Sequence, residues 1–118
     1  MRKRFLLLTI LSVLLTYNVN SMDTYPTHWW VGMKDPSLQI MIHEKNIGDY
    51  VVDLQHYPGV KLLRSVSPEN KNYMFLDLSI LPGTKPGVLH FIFSGKTGQI
   101  KMDYMLKQRV GGNGISRI

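Results

Sequence analysis

The feature that most constrains the fold is a strict alternation of apolar and polar residues near the end of the chain. In residues 99–107, "QIKMDYMLK", every second position carries a large apolar side chain: Ile100, Met102, Tyr104 and Leu106. Successive side chains of a β-strand point to opposite faces of its sheet, whereas a helix repeats every 3.6 residues. The pattern therefore predicts a strand that places these four side chains in a core.

Shorter runs of the same kind precede it, separated by turn signals. Apolar residues alternate in residues 38–42, 74–80 and 89–93, and "DYVVDL" (49–54) and "VKLLRSV" (60–66) are short aliphatic runs. Between the runs lie "KNIG", "HYPG", "SPENKN", "LPGTKPG" and "SGKTG". Six short strands separated by Pro, Gly and Asn turns are typical of an antiparallel sandwich. We predict an all-β, immunoglobulin-like antiparallel β-sandwich over residues 22–107.

The N-terminal segment has the composition of an export signal. Arg2, Lys3 and Arg4 precede an apolar run, and Val19 and Ser21 would occupy positions −3 and −1 of a cleavage after Ser21. The run is short for a membrane span, so an uncleaved anchor is the less favoured alternative. We predict a signal peptide over residues 1–21, a periplasmic or extracellular protein without a stable membrane anchor, and a linker or frayed tail over residues 108–118.

Charge and cysteine content exclude two classes of protein. The chain carries 14 basic and 8 acidic residues, and three of the basic ones lie in the predicted signal peptide, so the remainder is 11 against 8, or +3. Its lysines are scattered and form no basic stripe, which argues against a nucleic-acid partner. The sequence has no cysteine, so the exported domain has to be stable without disulfides.

Motifs for metal, cofactor or catalytic chemistry fail on spacing. Histidines stand at 28, 43, 56 and 90, never at paired ligand spacing. "SGKTG" (94–98) lacks the upstream glycine of a phosphate-binding loop and is better explained as a hairpin turn. No pair of carboxylates stands out and no G-x-S-x-G sequence occurs. We therefore predict no metal, no cofactor and no catalytic residue in this chain.

The two tryptophans of the sequence, Trp29 and Trp30, stand side by side before the first clear strand. Two interpretations remain open. The pair, together with Tyr25, could form a platform on which sugar rings stack, or one indole could close the sandwich while the other packs on a neighbouring domain. Adjacent side chains of an extended segment point to opposite sides, so we expect one indole to pack beside the face of Leu38, Ile40 and Ile42 and the other to face outward.

Three stretches carry a family resemblance: Trp29-Trp30-x-Gly32-Met33, the "LQIMIH" strand with "NIG" after it, and "YPGV" at 57–60. With these motifs the chain, from about Tyr25 to Arg109, resembles the N-terminal domain of Bacteroidetes-type cyclomaltodextrinases and neopullulanases, which are secreted or periplasmic members of the α-amylase family. The resemblance implies a β-sandwich module that precedes a (β/α)-barrel catalytic domain acting on α-1,4-glucans, cyclodextrins or pullulan.

The resemblance also implies that the catalytic chemistry lies elsewhere. A (β/α)-barrel needs roughly 250 residues, and here the residues after Arg109 read "VGGNGISRI". We expect no enzyme activity from this chain alone. We expect an exported accessory domain of an α-glucan hydrolase, whose partners are the missing barrel and α-glucan or cyclodextrin. The alternative is a free-standing exported carbohydrate-binding or protein-interaction module.

Overall fold

The fold consists of eight β-strands and one short 3₁₀-helix, seen in a computed structural model that describes residues 22–109. The predicted signal peptide, and the predicted tail from residue 110 onward, lie outside the described residues. The strands are β1 (Asp23–Tyr25), β2 (Trp29–Trp30), β3 (Ser37–His43), β4 (Val51–Leu54), β5 (Val60–Val66), β6 (Tyr73–Ile80), β7 (Gly87–Gly95) and β8 (Gly98–Lys107); the 3₁₀-helix is Ile47–Asp49.

The strands form two four-stranded sheets. Sheet A has the order β1-β3-β6-β5 and sheet B the order β2-β8-β7-β4. If the two-residue β2 is set aside, these orders correspond to the ABED and CFG sheets of an immunoglobulin domain. The predicted all-β sandwich is confirmed. One pairing departs from the predicted antiparallel arrangement, because β2 runs parallel to β8.

The core lies between the sheets and follows the alternation in the sequence. Met102, Tyr104 and Leu106 of β8 are buried, and Ile100 is partly buried against them. The alternating residues of the other strands are buried as well: Leu38, Ile40, Ile42, Met74, Leu76, Leu78, Ile80, Leu89, Phe91 and Phe93. The large aliphatic and aromatic side chains of both sheets therefore fill one disulfide-free core.

The sequence did not predict β1 and β2. They have three and two residues, too few for a period of two to be recognised. Their pairing with β3 and β8 depends on backbone hydrogen bonds to neighbours that are distant in sequence. The short strands carry all three residues that we predicted as site candidates: Tyr25, Trp29 and Trp30.

The connections between strands lie at opposite ends of the sandwich. The hairpin predicted from "SGKTG" is present, with Gly95 paired to Gly98 across a two-residue turn. At the other end lie three loops, 31–36, 55–59 and 81–86, and the point where the chain leaves β8. We call this second end the exit end.

Candidate functional site

The tryptophan pair forms an edge of sheet B. Trp29 is in register with Leu106 and Trp30 with Lys107. Residues opposite each other on paired strands share a face, so Trp29 points inward with the buried Leu106 and packs against the core. Trp30 points outward with the exposed Lys107. The inward tryptophan thus lies in the sheet opposite β3 and packs against the core cluster to which Leu38, Ile40 and Ile42 belong.

The segment that carries the tryptophans is attached to β8 by a buried tyrosine. The Tyr104 hydroxyl donates a hydrogen bond of 2.8 Å to the carbonyl oxygen of Pro26, in the crossover between β1 and β2. Burial raises the pKa of the Tyr104 phenol, which keeps it protonated as the donor. The Trp30 ring meets the His28 ring edge-on, with 4.9 Å between ring centroids, and lies 5.4 Å from the Trp29 ring.

Tyr25 lies on the other sheet. It belongs to β1, at the edge of sheet A, and is in register with Met41 of β3. Its side chain is 52% exposed. The three candidates from the sequence are therefore divided between two sheets: Trp29 and Trp30 form a half-buried aromatic edge with His28, whereas Tyr25 belongs to the outer face of sheet A.

We predict that the two tryptophans differ in fluorescence. In a Trp30→Phe variant the remaining Trp29, packed on the core, should emit at shorter wavelength and resist quenching by acrylamide. In a Trp29→Phe variant the remaining Trp30 should emit at longer wavelength and be quenched more readily. The two variants serve as each other's control. Equal quenching of both indoles would contradict the inward and outward assignment from the strand register.

The exit end holds a groove between two loops whose sequences, "HYPG" and "LPGTKPG", predict only turns. The groove has a volume of about 580 Å³, and its apolar walls come from Tyr57, Pro58 and Leu81. Gly59, Gly83, Thr84 and Lys85 complete the lining. Leu81 is 54% exposed at the mouth. The concentration of Gly and Pro in "HYPG" and "LPGTKPG" was the only available signal, and it indicated turns without showing that the two turns meet.

Hydrogen bonds between the two loops hold the groove in shape. The Thr84 side chain is buried, and its hydroxyl contacts the carbonyl oxygens of Leu81 at 2.6 Å and Gly59 at 3.3 Å. The Leu81 amide donates to the same Gly59 oxygen at 2.9 Å. Across the groove, the Tyr57 hydroxyl donates to the Lys85 carbonyl at 2.6 Å. The groove is therefore held in shape by hydrogen bonds between two loops that are distant in sequence.

A second groove continues the first toward the chain exit. The two share Gly83, Thr84 and Lys85. Gln108 and Arg109, which follow β8, line the second groove, and Nη1 of Arg109 donates to the Gly32 carbonyl at 3.3 Å. Any segment that follows Arg109 therefore starts beside this pair of grooves.

No group of three or more His, Cys, Asp or Glu side chains in residues 22–109 is arranged to hold a metal ion. No helix among the described residues is both long and apolar enough to cross a membrane.

These observations define a class: an immunoglobulin-like β-sandwich module with an aromatic edge and a preformed apolar groove where its chain exits. The family model for the N-terminal domain of cyclomaltodextrinase matches residues 24–110. Because this match covers well over half of the chain, the protein belongs to that family. The resemblance noted in the sequence, from about Tyr25 to Arg109, is confirmed.

Proposed function

We propose that this protein is the exported accessory domain of an α-glucan hydrolase of the cyclomaltodextrinase and neopullulanase type, and that it supports the catalytic barrel of that enzyme. The family match over residues 24–110 carries the proposal, since the family is defined as the N-terminal part of a larger enzyme. The signal-peptide pattern of residues 1–21 is the reason for proposing export, to the periplasm or beyond the cell.

The exit end is the surface that suits contact with a following domain. Its grooves lie beside Arg109, so a barrel joined to this point would be held close to them by a short connection. Leu81 and Pro58 offer apolar surface at the mouth, and burial of such surface is the main driving force of association. Hydrogen bonds hold the loops 55–59 and 81–86 together, and a surface that is already ordered lowers the entropic cost of docking.

Contact with α-glucan or cyclodextrin is the second part of the proposal. Tyr25 is exposed and Trp30 is half-buried, and an aromatic face suits the C–H face of a sugar ring. The alternative function, a free-standing exported carbohydrate-binding or protein-interaction module, uses the same aromatic surfaces but requires no barrel. The two functions differ in whether the exit end has a partner.

We predict that a charge at the groove mouth uncouples the domain from a barrel. The chain is joined through its C-terminus to the catalytic barrel of a family member, and the unfolding of the barrel is followed by calorimetry. Leu81→Asp should remove about 1–3 kcal/mol of the stabilisation that the domain confers, because docking would bury an unpaired carboxylate.

The matched control is Val51→Asp, because Val51 is 74% exposed and lies in β4 opposite Ser94, toward the other end of the sandwich. This variant should leave the barrel as stable as the unmodified fusion does. If the barrel unfolds at one temperature in both variants and in the unmodified fusion, the exit end does not support it, and the free-standing module becomes the better interpretation.

A further inference from the structure

A row of apolar side chains crosses the outer face of sheet A at a single register. Tyr25 of β1 is paired with Met41 of β3, Met41 with Phe75 of β6, and Phe75 with Val66 of β5. Residues paired in this way project from the same face of a sheet. The row spans all four strands, which is about 14 Å at the usual spacing between strands.

The row faces outward. Met41 lies between the buried Ile40 and Ile42, and Phe75 between the buried Met74 and Leu76, so alternation directs both away from the core. Both are half-buried among their neighbours. The ends of the row are more open, with Val66 44% and Tyr25 52% exposed.

A β-bulge directs the β5 end of the row to the surface. The register of β5 against β6 shifts between Leu62 and Arg64, which leaves Leu63 unpaired. One extra residue reverses the alternation that follows it. Val66 is thereby placed opposite Phe75, and Arg64 opposite Asp77. The bulge thus directs Val66 to solvent, where its side chain adds little to the core of the sandwich.

A cluster of hydrogen-bonded polar side chains lies along one side of the row. Asp77 accepts a hydrogen bond from the Arg64 Nε at 2.6 Å and one from the Gln39 amide at 2.8 Å. The hydrogen bond from Arg64, and to a smaller extent that from Gln39, lowers the pKa of Asp77 below its usual value. The Arg64 side chain is 72% exposed, so its remaining N–H groups stay available to a ligand.

A second polar border lies on the other side of the row. The Asp23 carboxylate is 3.7 Å from the His43 Nδ1, and the His43 and Tyr73 rings lie 4.8 Å apart with 34° between their planes. His43 is in register with both neighbours. The outer face of sheet A therefore presents an apolar stripe between two borders of hydrogen-bonding groups, and the exposed Leu63 lies beside Arg64 in the first border.

This arrangement suits a neutral sugar chain better than a protein. A sugar ring presents C–H groups on its faces and hydroxyl groups around its rim, so it can lie on the stripe and bond to both borders. The charged side chains on this face are Asp23, Asp77, Arg64 and Lys61, whose charges cancel and give no attraction for an acidic polymer. A stable protein interface buries about 800 Å² of surface on each partner, and the few apolar side chains of this face provide little of that area.

We propose that the outer face of sheet A is a binding surface for a neutral oligosaccharide, with Tyr25 and Phe75 as the apolar platform and Arg64, Gln39 and His43 as hydrogen-bonding partners. The inference rests on the proposed function only for the identity of the sugar, an α-1,4-glucan. It places a glucan contact on Tyr25 and its neighbours, on the sheet that does not carry the tryptophan edge.

The test is a calorimetric titration of the purified chain with maltoheptaose, with cellohexaose as the β-linked control. Tyr25→Ala and Phe75→Ala should each weaken maltoheptaose binding about tenfold, comparable to the loss of one stacking side chain on a nucleic-acid platform. Val66→Ser, at an exposed position, serves as a further variant in case Phe75→Ala unfolds. Val51→Ala, which changes a side chain on sheet B, should bind as the unmodified chain does.

Several results would overturn the inference. One is the absence of maltoheptaose binding at millimolar concentration; another is binding that Trp30→Phe weakens while Tyr25→Ala and Val66→Ser do not. A third is a change of sedimentation coefficient in Tyr25→Ala and Val66→Ser with sugar binding unchanged, because the row would then join two copies of the chain. The Leu81→Asp fusion tests whether the exit end supports the barrel, whereas the sugar titrations test the outer face of sheet A. The two proposals can therefore fail separately.

Discussion

Replacing Met102 with lysine is expected to destabilise the domain by several kcal/mol, close to the whole stability of a domain of this size. Met102 is 4% exposed in the middle of β8 and is paired with Phe91 of β7, which is fully buried. A lysine at this position would place an ammonium group among apolar side chains, and the buried cluster around it consists of hydrophobic residues. The strand has no alternative register, since a slip by one residue would expose Tyr104 and Leu106.

The matched control is Lys101→Met, one position earlier on the exposed face of the same strand. It exchanges the same two residue types in the opposite direction and should change the free energy of unfolding by less than about 0.5 kcal/mol. Urea unfolding followed by circular dichroism measures both variants. Midpoints that differ little between Met102→Lys and Lys101→Met would show that β8 does not face the core as the structure has it.

Replacing Gly59 with alanine is expected to cost about 2–4 kcal/mol and to deform the exit end. The φ of Gly59 is +90°, a conformation that residues with a Cβ rarely adopt and that costs about 1–3 kcal/mol. An added Cβ would clash with the Thr84 Oγ1. Thr84 is buried and bonded to the carbonyls of Gly59 and Leu81, so its displacement would break bonds between the two loops.

Gly83 provides the control for this substitution, because it lines the same groove and an added Cβ there meets no atom within 4 Å. The free energy of unfolding of Gly83→Ala should lie within about 0.5 kcal/mol of that of the unmodified chain. The same urea titration compares the two variants, and fusion to a barrel tests whether Gly59→Ala also lowers the stabilisation of the barrel. Identical unfolding of the two alanine variants would mean that the loops do not meet at Thr84.

The exit end and the outer face of sheet A are separate surfaces. The exit end gathers the loops 55–59 and 81–86 around the point where the chain leaves β8, whereas the apolar row crosses the middle of a sheet between two polar borders. Under the two proposals, one surface holds the barrel and the other holds sugar. Occupancy of one need not displace the other, so the domain could bring an α-glucan close to the enzyme that cleaves it.

The sequence by itself determined the fold class and most of the core. Where a strand is longer than about five residues and has no bulge, as is true of β3, β6, β7 and β8, alternation alone identifies its buried face, because the side-chain period of a strand is two. The hairpin at "SGKTG" was predictable for a related reason: a two-residue turn is a local property of four or five residues. The family motifs around Trp29 and "YPGV" sufficed to identify the N-terminal domain of cyclomaltodextrinase.

Only the tertiary structure decided where the surfaces lie. The short strands β1 and β2 place Tyr25 on one sheet and the tryptophans on the other, and strands of two or three residues form only when a distant strand offers its edge. The bulge at Leu63 determines whether Val66 faces the core or solvent, and its position depends on pairing with β6. The groove needs "HYPG" and "LPGTKPG" to meet through Thr84. Each of these features depends on pairing between residues far apart in the chain, which a local pattern of apolar and polar residues does not encode.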